Sequence, residues 1–178
     1  MKLNLNTFIK RDISDQEKIY QECHRRLYFT ALRILNNSFE AEEVMHDTLL
    51  KFFARDEKFA TIKERDGWLT RVCINQAIDT LRKRASHEMT AIERDLKEPE
   101  VNEDDEYSYK GVTADMVKRA LNNLAAGYRL ILSLSLFEGY DYEEIAQITE
   151  LKEVTVRTQF IRGKARLREE IEKIKYNY

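Results

Sequence analysis

Apolar residues along this chain recur at steps of three and four rather than two, a helical period from end to end. Ile19, Cys23, Leu27, Ala31 and Ile34 mark a first helix. The stretch Ser14-Asp-Gln-Glu17 has the form of a capping box and predicts its start. Asn36-Asn37-Ser38 ends it and can cap the next helix. That second helix carries Glu40, Glu42, Glu43 and Asp47 early, where acids suit the helix dipole, and then Leu49, Phe52 and Phe53. A loop over roughly Phe59 to Gly67 leads to a third helix, Trp68 to Arg84, with Leu69, Val72, Cys73, Ala77 and Leu81 pointing inward.

After Arg84 the period fails, and it returns at Val117, Ala120, Leu121 and Leu124. An apolar helix, Tyr128 to Phe137, follows, with Gly139 as its C-cap. Two more helices meet at a tight bend, Thr149-Glu150-Leu151-Lys152. Many such bends carry Gly where this one carries Glu150. A Glu with positive φ costs roughly 1 kcal/mol relative to Gly. The helix after the bend also opens on Lys152 rather than on Ser or Asp, unless Thr149 or Thr155 supplies a cap. The expected fold is all-α: two small helical domains, residues 1–85 and 112–178, joined by a linker over 86–111. The C-terminal domain contains a helix-turn-helix.

Charge sharpens this division. The net charge is only −2, but residues 86–112 hold nine acids against three bases and the chain's single Pro. The remainder is therefore net basic, and the near-neutral total does not argue against a nucleic-acid partner. Five Gly and one Pro favour helices over a turn-rich β fold. No apolar run approaches the roughly 18 residues of a membrane helix, and the N-terminal stretch lacks the apolar segment of a secretion signal. No membrane insertion is expected. Cys23 and Cys73 each sit in a helical apolar pattern, as reduced core thiols of a cytoplasmic protein do.

The last helix places Val156, Phe160, Gly163, Leu167, Ile171 and Ile174 on one face. Thr158, Ile161, Arg162 and Ala165 fall on the opposite side. Arg157, Lys164 and Arg168 flank one edge, Thr155 and Arg166 the other. Small or polar residues between two rims of cations suit a helix lying in a major groove. A solvated basic face paired with nearby Glu is the competing account.

The third helix carries Arg71, Asn75, Asp79 and Arg82 as one polar stripe, with Lys83 and Arg84 at its basic end. Arg and Asn suit phosphate and base contacts, and Asp79 can hold Arg71 or Arg82 in place. Cations at a helix C-terminus also simply stabilise the dipole. Trp68 suits either a core position or a base-stacking platform. Catalysis and metal binding find little support. His24, His46 and His87 stand apart, without metal-ligand spacing, and no P-loop, GxGxxG or nucleophile elbow occurs. No cofactor is expected, and the chain is not read as an enzyme.

Three segments now carry a resemblance. AEEVMHDTLLKFF (Ala41–Phe53), WLTRVCINQAIDTLRKR (Trp68–Arg84) and the stretch Leu121–Glu169 occur in the order found in bacterial RNA polymerase sigma factors of the extracytoplasmic-function (ECF) type. The chain resembles that family over most of its length. The resemblance implies that Glu43, His46 and Asp47 face the clamp helices of the core polymerase's largest subunit, although the family usually has Gln and Glu where His46 and Asp47 stand. It implies that Trp68, Arg71, Asn75, Arg82, Lys83 and Arg84 serve the promoter's minus-ten element, the loop before Trp68 accepting a flipped base. Thr155, Arg157, Thr158, Arg162 and Lys164 would meet the minus-thirty-five element. Apolar residues between Tyr128 and Phe137 would dock on the polymerase flap, and the acidic linker would thread basic channels of the enzyme. Family members are often held by an anti-sigma factor. The bend departs from the family's usual apolar–Gly–apolar–Ser, while Leu151 keeps the apolar anchor. Two other readings predict different behaviour: a helix-turn-helix regulator would act without core polymerase, and a helical protein-protein adaptor would not touch DNA.

Overall fold

A computed structural model describes residues 5–55, 59–88 and 110–176. Among the described residues all regular structure is helical: α1 (Leu5–Leu35), α2 (Ser38–Phe53), α3 (Ile62–Glu88), α4 (Ala114–Asn122), α5 (Ala126–Leu136), α6 (Tyr142–Thr149) and α7 (Glu153–Tyr176). Two starts differ from the sequence reading. Helix α1 is already formed at Leu5, so Ser14 lies inside it and its capping-box pattern starts nothing. No Gly or Pro separates Phe8, Ile9 and Ile13 from the apolar positions that follow, so the helix has no reason to break there. Helix α3 starts at Ile62, not at Trp68. The Glu64 amide donates to Thr61 Oγ1 and the Ala60 amide to Glu64 Oε2, a side-chain cap on the first turn; Gly67 is then an exposed helical residue. Of the acidic stretch, Ser86–Glu88 belongs to α3, residues 110 and 111 form a turn, and residues 89–109 lie outside the described residues.

The chain forms two compact units. The first comprises residues up to Leu32 and Asn37–Ala77; the second comprises Arg33–Asn36 and the residues from Ile78 onward. In the first, Cys23, Leu27, Ala41, Val44, Met45, Leu49, Leu69, Cys73, Ile74 and Ala77 form the buried core. Thr48 is buried among them, its hydroxyl 2.7 Å from both the Val44 carbonyl and the Gln76 side-chain amide, so its polarity is satisfied. Asn37 accepts from the Phe39 and Glu40 amides and caps α2 as anticipated, while Asn36 takes the left-handed conformation that turns the chain (φ 52°).

In the second unit α7 runs beneath α4, α5 and α6. Ala120, Leu121, Leu124, Leu132, Leu167, Ile171 and Ile174 fill the core, with Tyr128 and Phe160 packed at its border. A Cβ at Gly163 would stand 3.3 Å from both Leu132 and Tyr128, so the residue permits close approach of α5 and α7. Gly139 (φ 77°) closes α5, and the Tyr140 amide returns to the Leu134 carbonyl. Asp141 and Glu144 form the capping box that starts α6.

Candidate nucleic-acid interface

Helix α3 buries Leu69, Cys73, Ile74, Ala77 and Ile78, with Val72 and Leu81 half-buried. The inward face is therefore rotated slightly from the one read in the sequence, toward Ile74 and Ile78. Arg71, Asn75, Asp79 and Arg82 are all exposed, as one stripe. Neither Arg71 nor Asn75 makes a hydrogen bond or ion pair among the described residues. Asp79 holds Arg82 rather than Arg71, at 3.5 Å. Arg84 is half-buried and donates to the Leu35 carbonyl (3.1 Å), so one arm of its guanidinium serves the C-terminus of α1.

Trp68 joins an aromatic cluster at the start of this helix. Its ring centre is 6.1 Å from Phe52 and 5.8 Å from Phe59, and Phe52 and Phe59 stack on each other. The Arg55 guanidinium lies over Trp68 at 4.6 Å and over Phe59 at 5.5 Å. Beside this cluster is a groove of about 410 Å³ lined by Asp15, Phe52, Phe53, Phe59 and Arg65, among others. Arg65, which lines the groove, is held by an ionic clasp: it bonds Glu22 and Asp66, and Arg26 reaches Asp66 and Thr70. Burial pulls the Arg65 guanidinium down, but the bonds to Asp66 and Glu22 outweigh it and leave the group above its ordinary value. Burial raises the Cys23 thiol, which donates to Asp66 of this clasp at 3.8 Å. Both cysteines are buried and neither forms a disulfide.

Glu43, His46 and Asp47 lie together on the exposed side of α2. Tyr20 stacks on His24 with ring centres 4.8 Å apart, and the His46 ring lies 6.4 Å from Tyr20. The histidines thus take part in aromatic packing, and no cluster among the described residues could hold a metal ion.

On α7, Val156, Gly163, Leu167, Ile171 and Ile174 are buried and Phe160 is half-buried. Arg157 and Lys164 are exposed; Thr155, Thr158 and Arg162 are half-exposed. Glu153 accepts from Arg157 (3.1 Å), and the Arg157 guanidinium also lies over the Tyr142 ring at 5.5 Å. Lys164 lies over Phe160 at 5.9 Å, and Arg166 pairs with Glu169. The bend is left-handed at Glu150 (φ 60°, ψ 24°). Ile145 and Val156 are fully buried around it, but Leu151 is 38 % exposed and anchors the bend less than expected. Thr149 is buried and donates its hydroxyl back to the Ile145 carbonyl, so its hydroxyl proton goes into α6 rather than to the start of α7.

Sequence reasoning missed two groups. Arg55 carried no periodic signal. Arg129 did carry one, as the only charge in the apolar run of α5. It is 6 % exposed and donates to the Ile34 carbonyl (3.2 Å) and the Leu124 carbonyl (2.7 Å). Burial, and then the nearby Arg84, lower its affinity for the proton. Around it the apolar α5 residues Ile131, Leu132 and Leu134 are buried, so Leu136 and Phe137 are the exposed apolar side chains at the end of that helix.

The sigma-70 region 2 family model matches residues 19–87, and the model of sigma-70 region 4 matches residues 114–167. The chain is 29% identical over 160 residues to the ECF RNA polymerase sigma factor SigE of Mycolicibacterium smegmatis, covering 88% of this chain and 62% of that protein. It is 24% identical over 173 residues to SigW of Bacillus subtilis, covering 90% and 87%. Its fold matches the sigma factor RpoE of Bartonella quintana, solved in complex with the anti-sigma factor NepR. The TM-score is 0.57, with 24% identity and coverage of 89% and 97%. The two region models in this order, with relatives aligned along nearly the whole chain, make it a member of the sigma-70 family of RNA polymerase sigma factors, of the ECF type.

Proposed function

We propose that the chain brings core RNA polymerase to a promoter, reads minus-ten and minus-thirty-five elements, and traps melted minus-ten DNA. The observation that carries this reading is the exposed Arg71–Asn75–Asp79–Arg82 stripe on α3, which continues the helix from Trp68, whose ring packs on Phe52 and Phe59 at the edge of the groove those two line. Polar groups able to bond phosphates and base edges adjoin aromatic surface able to receive an unstacked base. Extruding that base costs a few kcal/mol, which a preformed aromatic groove offsets. The chain itself performs no chemistry and uses no cofactor.

Domains over 1–85 and 112–178 would divide the work, with the acidic stretch 86–111 between them. Glu43, His46 and Asp47 would contact the polymerase clamp helices, with Leu136 and Phe137 at the end of α5 meeting the flap. Thr155, Arg157, Thr158, Arg162 and Lys164 would face the upstream element. The chain would work in the cytoplasm, where the polymerase is; no helix among the described residues is long and apolar enough to cross a membrane. An anti-sigma factor is a further expected partner, in keeping with the NepR complex of the solved relative.

Run-off transcription with core polymerase, with and without the chain, tests the activity. Permanganate footprinting of Arg71→Ala and Asn75→Ala tests the mechanism. Both variants should bind polymerase normally and melt the promoter at least roughly fivefold less, about the effect of one lost contact of 1–3 kcal/mol. Undiminished melting in both would remove the minus-ten assignment.

A further inference from the structure

The bend at Glu150 breaks a local rule without a local gain. Left-handed geometry is easiest for Gly, yet a charged residue adopts it. The second compact unit contains both this bend and the end of α3, and there the side chain has a use. Arg82 Nη2 donates to Glu150 Oε2 (2.8 Å) and to the Thr149 carbonyl (3.2 Å). The other arm, Nη1, lies 3.5 Å from Asp79 Oδ1. The left-handed turn presents the last carbonyl of α6 and the Glu150 carboxylate to the same guanidinium nitrogen. Gly would make the turn more easily and supply no anion.

We propose that Glu150 is an electrostatic latch: in the free chain it occupies Arg82, and single-stranded DNA phosphate must displace it. This rests on the reading of Arg82 as a phosphate contact. The partners are 47% and 75% exposed, so the latch is weak, salt-sensitive and open to exchange with another anion. A phosphate that takes Arg82 also releases the bend, and by linkage each event favours the other. The chain would thus hold DNA poorly until several contacts form together.

The test is fluorescence anisotropy of the full chain with a labelled single-stranded DNA oligonucleotide at low salt. Glu150→Gln should tighten binding by roughly two- to fivefold, the range an exposed ion pair supports. Glu150→Asn, which tolerates the left-handed turn, should do the same. In an Arg82→Gln background, itself weaker in binding, neither change should matter. An equal gain in both backgrounds would mean that only overall charge had changed, and would overturn the latch, as would no gain in either. Hydrogen exchange of the amides at 149–153 reads the contact without DNA. It should quicken in Arg82→Gln, and unchanged exchange also overturns the latch. Quickened exchange with unchanged DNA binding in Arg82→Gln would instead show that the contact exists and that Arg82 is not a phosphate contact.

Discussion

On the two helices read as DNA-facing, the middle of α3 and the exposed face of α7 present their polar groups in opposite states, whereas Arg82 at the end of α3 is paired as the cations of α7 are. Arg71 and Asn75 on α3 are exposed and unengaged among the described residues. On α7, Arg157 is already paired with Glu153 and laid over Tyr142, and Arg166 is paired with Glu169. The difference suits different tasks. A helix that captures melted bases gains from donors that need not leave a partner. A helix that docks on duplex gains from cations pre-set in direction, even if phosphate must displace a carboxylate. The supports differ as well: α3 starts beside an aromatic cluster with an ionic clasp, whereas α7 lies in an aliphatic core.

The largest expected effect tests that support. Trp68→Ala removes the ring that packs on Phe52 and Phe59 beneath Arg55. It should cost about 3 kcal/mol, the lower end for removing a large aromatic side chain because Trp68 is only half-buried. Thermal unfolding would show the loss, and permanganate footprinting at a temperature where the variant is folded would show reduced melting. Trp68→Phe should recover most of the stability. If Trp68→Ala melts promoter as well as the parent chain, the aromatic cluster supports the fold alone, and the contrast with α7 loses its functional side.

A smaller effect sharpens the other half. If Glu153 only orients Arg157, then Glu153→Gln should weaken duplex binding. If it competes with phosphate, Glu153→Gln should tighten binding by roughly twofold, since exposed i,i+4 pairs contribute about 0.3–0.5 kcal/mol. The competition account is favoured because both partners are about half exposed. Arg157→Ala should reduce the salt slope of duplex binding by about one unit if its contact is to phosphate. Filter binding across a salt series separates these outcomes.

How far the sequence revealed these features depends on how local each determinant is. The buried face of α7 and the exposed stripe of α3 follow from periodicity, and both stand where the pattern put them. The bend itself was legible at Thr149–Lys152, but its left-handed geometry at Glu150 is a finding of the structure, since without Gly the pattern indicated only the cost such geometry would carry. The start of α3 was also legible, since Thr61-x-x-Glu64 is a capping pattern, but Gly67 next to Trp68 drew the boundary too late. The same pattern at Ser14 misled, because nothing N-terminal to it breaks a helix. Arg55 over Trp68, Arg82 on Glu150 and Arg129 on Ile34 were not legible. Each joins residues distant along the chain, or depends on where a long side chain ends, and no period encodes that.

The smallest prediction concerns the anchoring of α7. Glu170 accepts from Lys173 (2.6 Å) on its own helix and from Asn123 (3.0 Å) at the C-cap of α4. These bonds, Lys173 first and then Asn123, hold its carboxyl below the ordinary glutamate value. A carboxyl whose folded pKa is depressed stabilises the fold above its unfolded pKa, and that contribution disappears as pH falls through the folded one. The chain should therefore lose a small part of its thermal stability on acidification just below the ordinary glutamate range, and Glu170→Gln should flatten that segment of the curve. Asn123→Ala should flatten it partly, leaving the Lys173 bond, which is confined to α7. An unaltered acid slope in Glu170→Gln would mean that α7 is held against α4 by Leu121, Leu167 and Ile171 alone. The upstream reading helix would then owe its position to apolar packing, and the charges along it would be left entirely to its exposed face.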